Sequence, residues 1–154
     1  MTPEEKIEKL IKTARNLIGK PYKYGAYLKN NDGADPDGFD CSSLTQYLFK
    51  QAGIDLPRSS IEQAASHLGK EVPVSELEAG DVVFFEGTKG HYWHKLFPGR
   101  KIYIGHLGIY TGEGNILHAA DNAELNPILQ GVVEHSLDLL PRPYYDIVMI
   151  KRFI

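Results

Sequence analysis

Ile104-Gly105-His106-Leu107-Gly108-Ile109-Tyr110-Thr111-Gly112-Glu113-Gly114-Asn115-Ile116-Leu117-His118-Ala119-Ala120 reads as two short strands joined by a glycine turn. If that hairpin is centred near Glu113, His118 falls across from Gly108 and diagonal to His106. Even-numbered positions then share a face, and diagonal neighbours on one face lie roughly 7–8 Å apart. Gly108 leaves room beside the two imidazoles. A slip of one residue would keep each histidine on its strand but separate their faces.

The same patterning extends outward from the hairpin. Strands are expected near 81–86, 102–111, 115–120, 131–135 and 145–152, and helices near 3–18, 41–52 and 59–68. Helices first and an antiparallel sheet of about five strands afterwards make an α+β fold. The polar stretch Asp121 to Gln130, with Pro127, and Pro141 further on are connections within one unit. Neither a repeat nor a low-complexity tract interrupts the chain, so residues 1–154 are expected to form a single domain.

Cys41 is the only cysteine, and it sits in Phe39-Asp40-Cys41-Ser42-Ser43-Leu44, where a loop rich in Gly, Asp and Pro turns into an apolar helix. Asp40 is a candidate N-cap, Leu44, Tyr47, Leu48 and Ala52 supply the apolar spacing, and Gly53 a stop. A thiol in a first helical turn faces unpaired backbone N–H groups and the positive end of the helix dipole, which favour thiolate. A lone cysteine is also commonly a small buried hydrophobe. The two histidines tip the balance: His106 could take the thiol proton while His118 fixes the imidazole tautomer, the nucleophile–base–orienter arrangement of cysteine peptidases.

Six segments then carry a resemblance. Ile18-Gly19-Lys20-Pro21-Tyr22-Lys23-Tyr24-Gly25, the Cys41 segment, Leu56-Pro57-Arg58-Ser59-Ser60, Leu77-Glu78-Ala79-Gly80-Asp81-Val82-Val83-Phe84-Phe85, Gly105-His106-Leu107-Gly108-Ile109-Tyr110 and Ile116-Leu117-His118-Ala119 occur in order. Together they resemble the NlpC/p60-type cell-wall cysteine peptidases, a papain-like group. The likeness implies Cys41 as nucleophile, His106 as general base and His118 as orienting residue. It matches Tyr24 to a tyrosine beside the nucleophile that helps bind substrate or hold the oxyanion together with backbone N–H groups at the helix start, around Ser42. It matches Asp40, Arg58 and Ser59 to the substrate groove. The implied substrate is the stem peptide of bacterial peptidoglycan, commonly cut after D-glutamate, with no cofactor.

Three departures stand out. Ser43 occupies a usual glycine position, where its side chain would narrow the space behind the nucleophile. Ala26 replaces a second glycine, and a left-handed backbone there would cost alanine more than glycine. Residues 86–103 are longer than the usual connection and carry Tyr92, Trp93 and Phe97, with His91 and His94. They read either as a lid or substrate wall, or as a hairpin extension that buries its aromatics.

Composition suits one enzyme domain. A chain of 154 residues with 42% hydrophobic content can bury a core, and a formal charge of -3 argues against nucleic acid as partner. Lys6, Lys9, Lys12 and Arg15 read as the solvated side of an amphipathic helix that buries Ile7, Leu10, Ile11, Ala14, Leu17 and Ile18. No apolar run is long enough to span a membrane, and the charged N-terminus reads as a helix rather than a signal peptide. A wall substrate would then require a trimmed leader, a specialised export route or cytoplasmic recycling of wall peptides. Asp32, Asp35 and Asp37 resemble a calcium loop only at a glance, because Gly33 holds a ligand place and Leu44 the place of the bidentate glutamate. His91 and His94 lack further ligands for zinc. No metal site is therefore expected. Other uses of the same residues are acyl transfer, a wall-binding module without turnover, and an antibacterial effector whose groove an immunity or inhibitor protein would cover.

Overall fold

In the computed structural model the described residues are 1–26, 36–87, 90, 92–93, 95–142 and 144–154. Their order is α1 (Pro3–Asn16), α2 (Cys41–Gln51), α3 (Ser60–Ala65), β1 (Lys70–Glu71), β2 (Val82–Phe85), β3 (His106–Gly112), β4 (Asn115–Asp121), β5 (Gln130–Ser136) and β6 (Ile147–Arg152). The strands form one antiparallel sheet in the order β1-β6-β2-β3-β4-β5. The α+β expectation holds. The sixth strand is β1, a two-residue pairing of Lys70 and Glu71 with Arg152 and Lys151 that has too few residues to show a period. The 102–111 strand starts only at His106, because residues 101–105 form an irregular approach to the sheet.

Each helix begins where a side-chain oxygen takes up a free N–H. Thr2 Oγ1 accepts from Glu5 N–H at 3.1 Å, with Pro3 in the first turn of α1. Asp40 Oδ1 accepts from Ser43 N–H at 2.8 Å, while Asp40 N–H donates to Ser43 Oγ at 3.0 Å. That reciprocal pair is a capping box, and it gives Ser43 a structural reason to stand where glycine is usual. Ser43 is buried in the first turn of α2. The position with φ +77° is Gly25 rather than Ala26, so alanine carries no backbone strain there.

The sheet's two faces differ. One carries Val82, Phe84, Leu107, Ile109, Leu117, Ala119 and Val132, and packs on Leu10, Ala14, Leu44 and Leu48 from α1 and α2. The other carries Val83, Phe85, Ile116, Ala120 and Ile150, and is closed by Leu129, Leu140 and Tyr145. Outside β5, Gly19 N–H donates to Val132 O at 3.0 Å and Val132 N–H to Lys20 O at 2.9 Å, so the segment leading to Tyr22 docks on that edge. Tyr22 pairs in parallel with Phe39, which brings this segment alongside the start of α2. Among the described residues, no helix is long and apolar enough to cross a membrane.

Asp40 N–H is buried and has Ser43 Oγ as its acceptor. Replacing Ser43 by Ala should therefore cost about 1–2 kcal/mol in chemical denaturation. An unchanged midpoint would show that the reciprocal cap contributes nothing.

Candidate active site

The hairpin register is the one expected from the sequence: Ile109 faces Leu117 and Tyr110 faces Ile116. His106 Nε2 meets His118 Nδ1 at 2.7 Å, with the rings nearly perpendicular at 76° and their centroids 4.9 Å apart. Gly108 is what allows this approach, since a Cβ there would sit 3.0 Å from the Cβ of His118 and 2.9 Å from Ile116 Cγ1. Phe85, paired with His106, and Tyr145 hold the His106 ring, with centroids 5.9 and 5.6 Å away.

Cys41 is half-buried at the first position of α2. The backbone N–H groups of Leu107, the residue after His106, and of Ser42 lie close enough to its sulfur to favour the thiolate. The helix and the histidine strand therefore converge on the thiol. Burial, followed by the adjacent Asp40 carboxylate, pushes the thiol up to about 12, against the pull of those two N–H groups and of Arg58. The sequence expectation of a thiolate favoured by a helix N-terminus is corrected here. Removal from water outweighs the helix end, and the capping group that starts the helix is itself negative. Burial likewise pushes His106 down to about 4 and holds His118 well below the ordinary histidine range, the latter aided by its two histidine neighbours. At neutral pH the Cys41 thiol and the His106 and His118 imidazoles therefore rest uncharged.

Asp40, Arg58 and Ser42 form one node. Arg58 Nη2 donates to Asp40 Oδ2 at 2.6 Å and Nη1 to Ser42 Oγ at 2.7 Å, and Arg58 also donates to Ala26 O. Gly25 N–H donates to Asp40 Oδ2 at 3.0 Å. The carboxylate and guanidinium are thus paired beside the thiol. Ser59 caps α3, accepting from Glu62 N–H at 3.3 Å and donating to Glu62 Oε1 at 2.6 Å.

Tyr24 stands in solvent, 92% exposed. Tyr22, not Tyr24, packs against the same cluster as Cys41. Its hydroxyl is raised by burial first and by the proximity of Cys41 next. In the 86–103 segment, Phe97 is buried in the main core and Tyr92 packs against it, its hydroxyl donating to Phe97 O at 3.4 Å. Arg100 clamps the turn to β1 through two 2.7 Å bonds to Glu71. The alternative in which the aromatics are buried therefore describes Phe97 and Tyr92, whereas Trp93, 46% exposed, and Tyr103, 39% exposed, face solvent. His91, His94, Asp32 and Asp35 lie outside the described residues. Among the described residues, no cluster of three or more His, Cys, Asp or Glu side chains suits a metal.

Besides Tyr22, two residues were missed by sequence reasoning. Gln63, fully buried, accepts from Thr45 Oγ1 at 2.7 Å and donates to Ser42 O at 3.0 Å and Pro57 O at 2.9 Å, tying α3 to the first turn of α2. His135 meets His118 Nε2 through its own Nε2 at 2.8 Å. The alternation that paired His106 with His118 would have found His135 too, had the register of β5 been readable across the loop 122–129.

Comparison with known proteins agrees with this architecture. The family model described as NlpC/P60 family matches residues 19–138. The chain belongs to the NlpC/P60 family. It is 36% identical over 133 residues to a probable endopeptidase of Corynebacterium glutamicum, covering 86% of this chain and 49% of that protein. It is 38% identical over 116 residues to a bifunctional muramidase/DL-endopeptidase of Bacillus subtilis, covering 75% and 30%. The chain thus spans about half or less of these curated relatives. Among solved structures, an NlpC/P60 family protein of Bacillus cereus aligns with a TM-score of 0.71 at 26% identity, covering 96% of this chain and 40% of that one. The P60 domain of an antigen of M. avium subspecies paratuberculosis aligns at 0.67 and 27%, covering 98% and 96%. The papain-like, α+β expectation of the sequence thus agrees with these NlpC/P60 neighbours.

The lowered histidines have a consequence for stability. Below the ordinary value of 6.5 the unfolded chain binds protons that His106, held near 4, and His118 do not bind in the fold. Stability should therefore fall as pH drops from about 6.5 towards 4, by up to ~1.4 kcal/mol per pH unit for each such histidine. Thermal unfolding across pH 7 to 4.5 checks this, and a constant Tm down to pH 5 would contradict neutral burial of the pair.

Proposed function

We propose that this chain is a cysteine peptidase that hydrolyses amide bonds in peptidoglycan stem peptides, an endopeptidase acting after D-glutamate, with residues 1–154 as one catalytic domain. The observation that carries the proposal is the convergence of three groups that approach from separate elements. The Leu107 N–H lies close to the Cys41 sulfur, and the neighbouring His106 is bonded at 2.7 Å to His118. The names of the relatives, endopeptidase in Corynebacterium glutamicum and muramidase/DL-endopeptidase in Bacillus subtilis, support the substrate class.

In this reading the thiol and imidazole begin neutral. His106 removes the thiol proton as the sulfur attacks the carbonyl, so charge appears only when the oxyanion does. Backbone N–H groups at the start of α2, with the Tyr22 hydroxyl, receive that oxyanion. The tyrosine role passes from Tyr24 to Tyr22 because Tyr22 is the one packed with Cys41. His106 then gives its proton to the leaving amine, and water, activated by the same ring, releases the acyl group. Asp40 and Arg58 form a groove wall of balanced charge, because each already satisfies the other. Ser42 helps to hold that wall, and Ser59 supports it from the start of α3. Trp93 remains a candidate wall for bound peptide.

Mass spectrometry of peptidoglycan fragments after incubation with wild type and with Cys41→Ala tests the reading. Cleavage by the wild type alone is expected, and a Cys41→Ala protein that still cleaves would overturn the nucleophile. Products extended by an added amine would show acyl transfer in place of hydrolysis. His106→Ala should lower kcat by about 10²–10⁴-fold. His118→Ala should cost less, and equal losses would contradict the division between base and orienter.

A further inference from the structure

The histidine contacts extend beyond the pair that the proposed chemistry uses. His118 and His135 lie on adjacent strands, with His118 opposite Val133 and His135 opposite Ile116, so the two are diagonal neighbours on one face. His106 stands in the same diagonal relation to His118 across the β3–β4 ladder. Three imidazoles thus run obliquely over three neighbouring strands. His106 Nε2 to His118 Nδ1 is 2.7 Å, His118 Nε2 to His135 Nε2 is 2.8 Å, and His135 Nδ1 to Ser136 O is 2.7 Å. The second pair of rings repeats the geometry of the first, with centroids 5.0 Å apart and planes at 76°. His118 is fully buried, and His135 is nearly so.

This row has a direction, because its last acceptor is a carbonyl. Ser136 O can only accept, so His135 Nδ1 carries the hydrogen. In neutral His135 the Nε2 atom is then a lone-pair acceptor, and His118 Nε2 must donate to it. His118 Nδ1 in turn becomes an acceptor, and His106 Nε2 must donate. The lone pair of His106 is left on Nδ1. With the opposite polarity, His106 would carry its hydrogen on Nδ1 and hold its lone pair against His118, unable to accept a proton from a thiol on that side.

We infer that His135 is a positioning residue, which together with the carbonyl of Ser136 fixes the tautomers of His118 and His106 so that Nδ1 of His106 is the basic nitrogen. The inference concerns the same site as the proposed peptidase and rests on that reading for its effect on rate, whereas the tautomers themselves do not depend on it. No proton is lost from the row during the reaction. When His106 takes the thiol proton at Nδ1, its Nε2–H bond to His118 becomes charge-assisted and stronger, which holds that cation in place.

Two measurements on the full chain separate the inference from the peptidase reading. Nitrogen-15 NMR of histidine-labelled wild-type protein near pH 7 reads each tautomer directly. Protonated Nε2 on His106 and His118 with protonated Nδ1 on His135 is expected, and Nδ1-protonated His106 would overturn the inference whether or not the protein cleaves peptides. In stem-peptide cleavage, His135→Leu removes the acceptor and should lower kcat roughly tenfold with KM unchanged. His135→Gln places an amide oxygen near the lost Nε2 and should restore most of that rate. Full activity in His135→Leu, or equal loss in Leu and Gln variants of wild-type Tm, would overturn it. Absence of cleavage by the wild type would count against the peptidase, leaving the NMR result to decide the histidine row.

Discussion

The registers of the β3–β4 and β4–β5 ladders are the constraint on which the rest of this molecule depends. A strand alternates its side chains between faces, so a shift of one residue in either ladder would send its histidine to the opposite face, the one packed on the helices. Gly112 and Gly114 adopt positive φ, as does Glu113 between them at 56°, and this tight turn fixes the first register. Gly131 fixes the approach to the second: at φ +79° it lies so close to Lys20 O that a Cβ would stand 2.7 Å away. Glycines that carry no chemistry thereby decide which side chains can meet.

Around that geometry, burial governs the electrostatics. The thiol is raised and the imidazoles are lowered by the same cause, removal from water, and both shifts favour uncharged groups. Asp40 and Arg58 pair at 2.6 Å, and of the two the carboxylate acts more strongly on the thiol, raising it. A resting site of this kind holds no preformed thiolate–imidazolium pair. In the proposed peptidase reading, His106 would be the base with its proton site open and Cys41 a nucleophile that becomes charged only as a substrate carbonyl accepts the electrons.

Much of this was legible in the sequence, for local reasons. Asp40 before an apolar 3.6-residue period announced α2, and the Gly-Glu-Gly centre announced the hairpin and with it the His106–His118 pairing. Ser43 read as an intrusion and proved to be half of a capping box, because a reciprocal bond depends on the rotamer as well as the residue type. Tyr22 and Tyr24 are both plausible partners in sequence, and only the bridge between Tyr22 and Phe39 shows which of them packs with Cys41. The thiol's environment was misread because a helix N-terminus is visible in sequence whereas the desolvation that outweighs it is a property of packing. His135 was hidden by a connection whose length does not determine a register. The two-residue β1 was hidden by its brevity.

The central claim is that Cys41, His106 and His118 rest as neutral groups because burial disfavours their charged forms. Because the chain has one cysteine, alkylation reports on that thiol alone. The most direct measurement is the rate of alkylation of the folded protein by iodoacetamide from pH 5 to 10, with the denatured chain as reference. The account predicts that the folded protein reacts more slowly than the denatured one throughout, with a rate still climbing at pH 10. A fast plateau below pH 8 would reveal a preformed thiolate and contradict it.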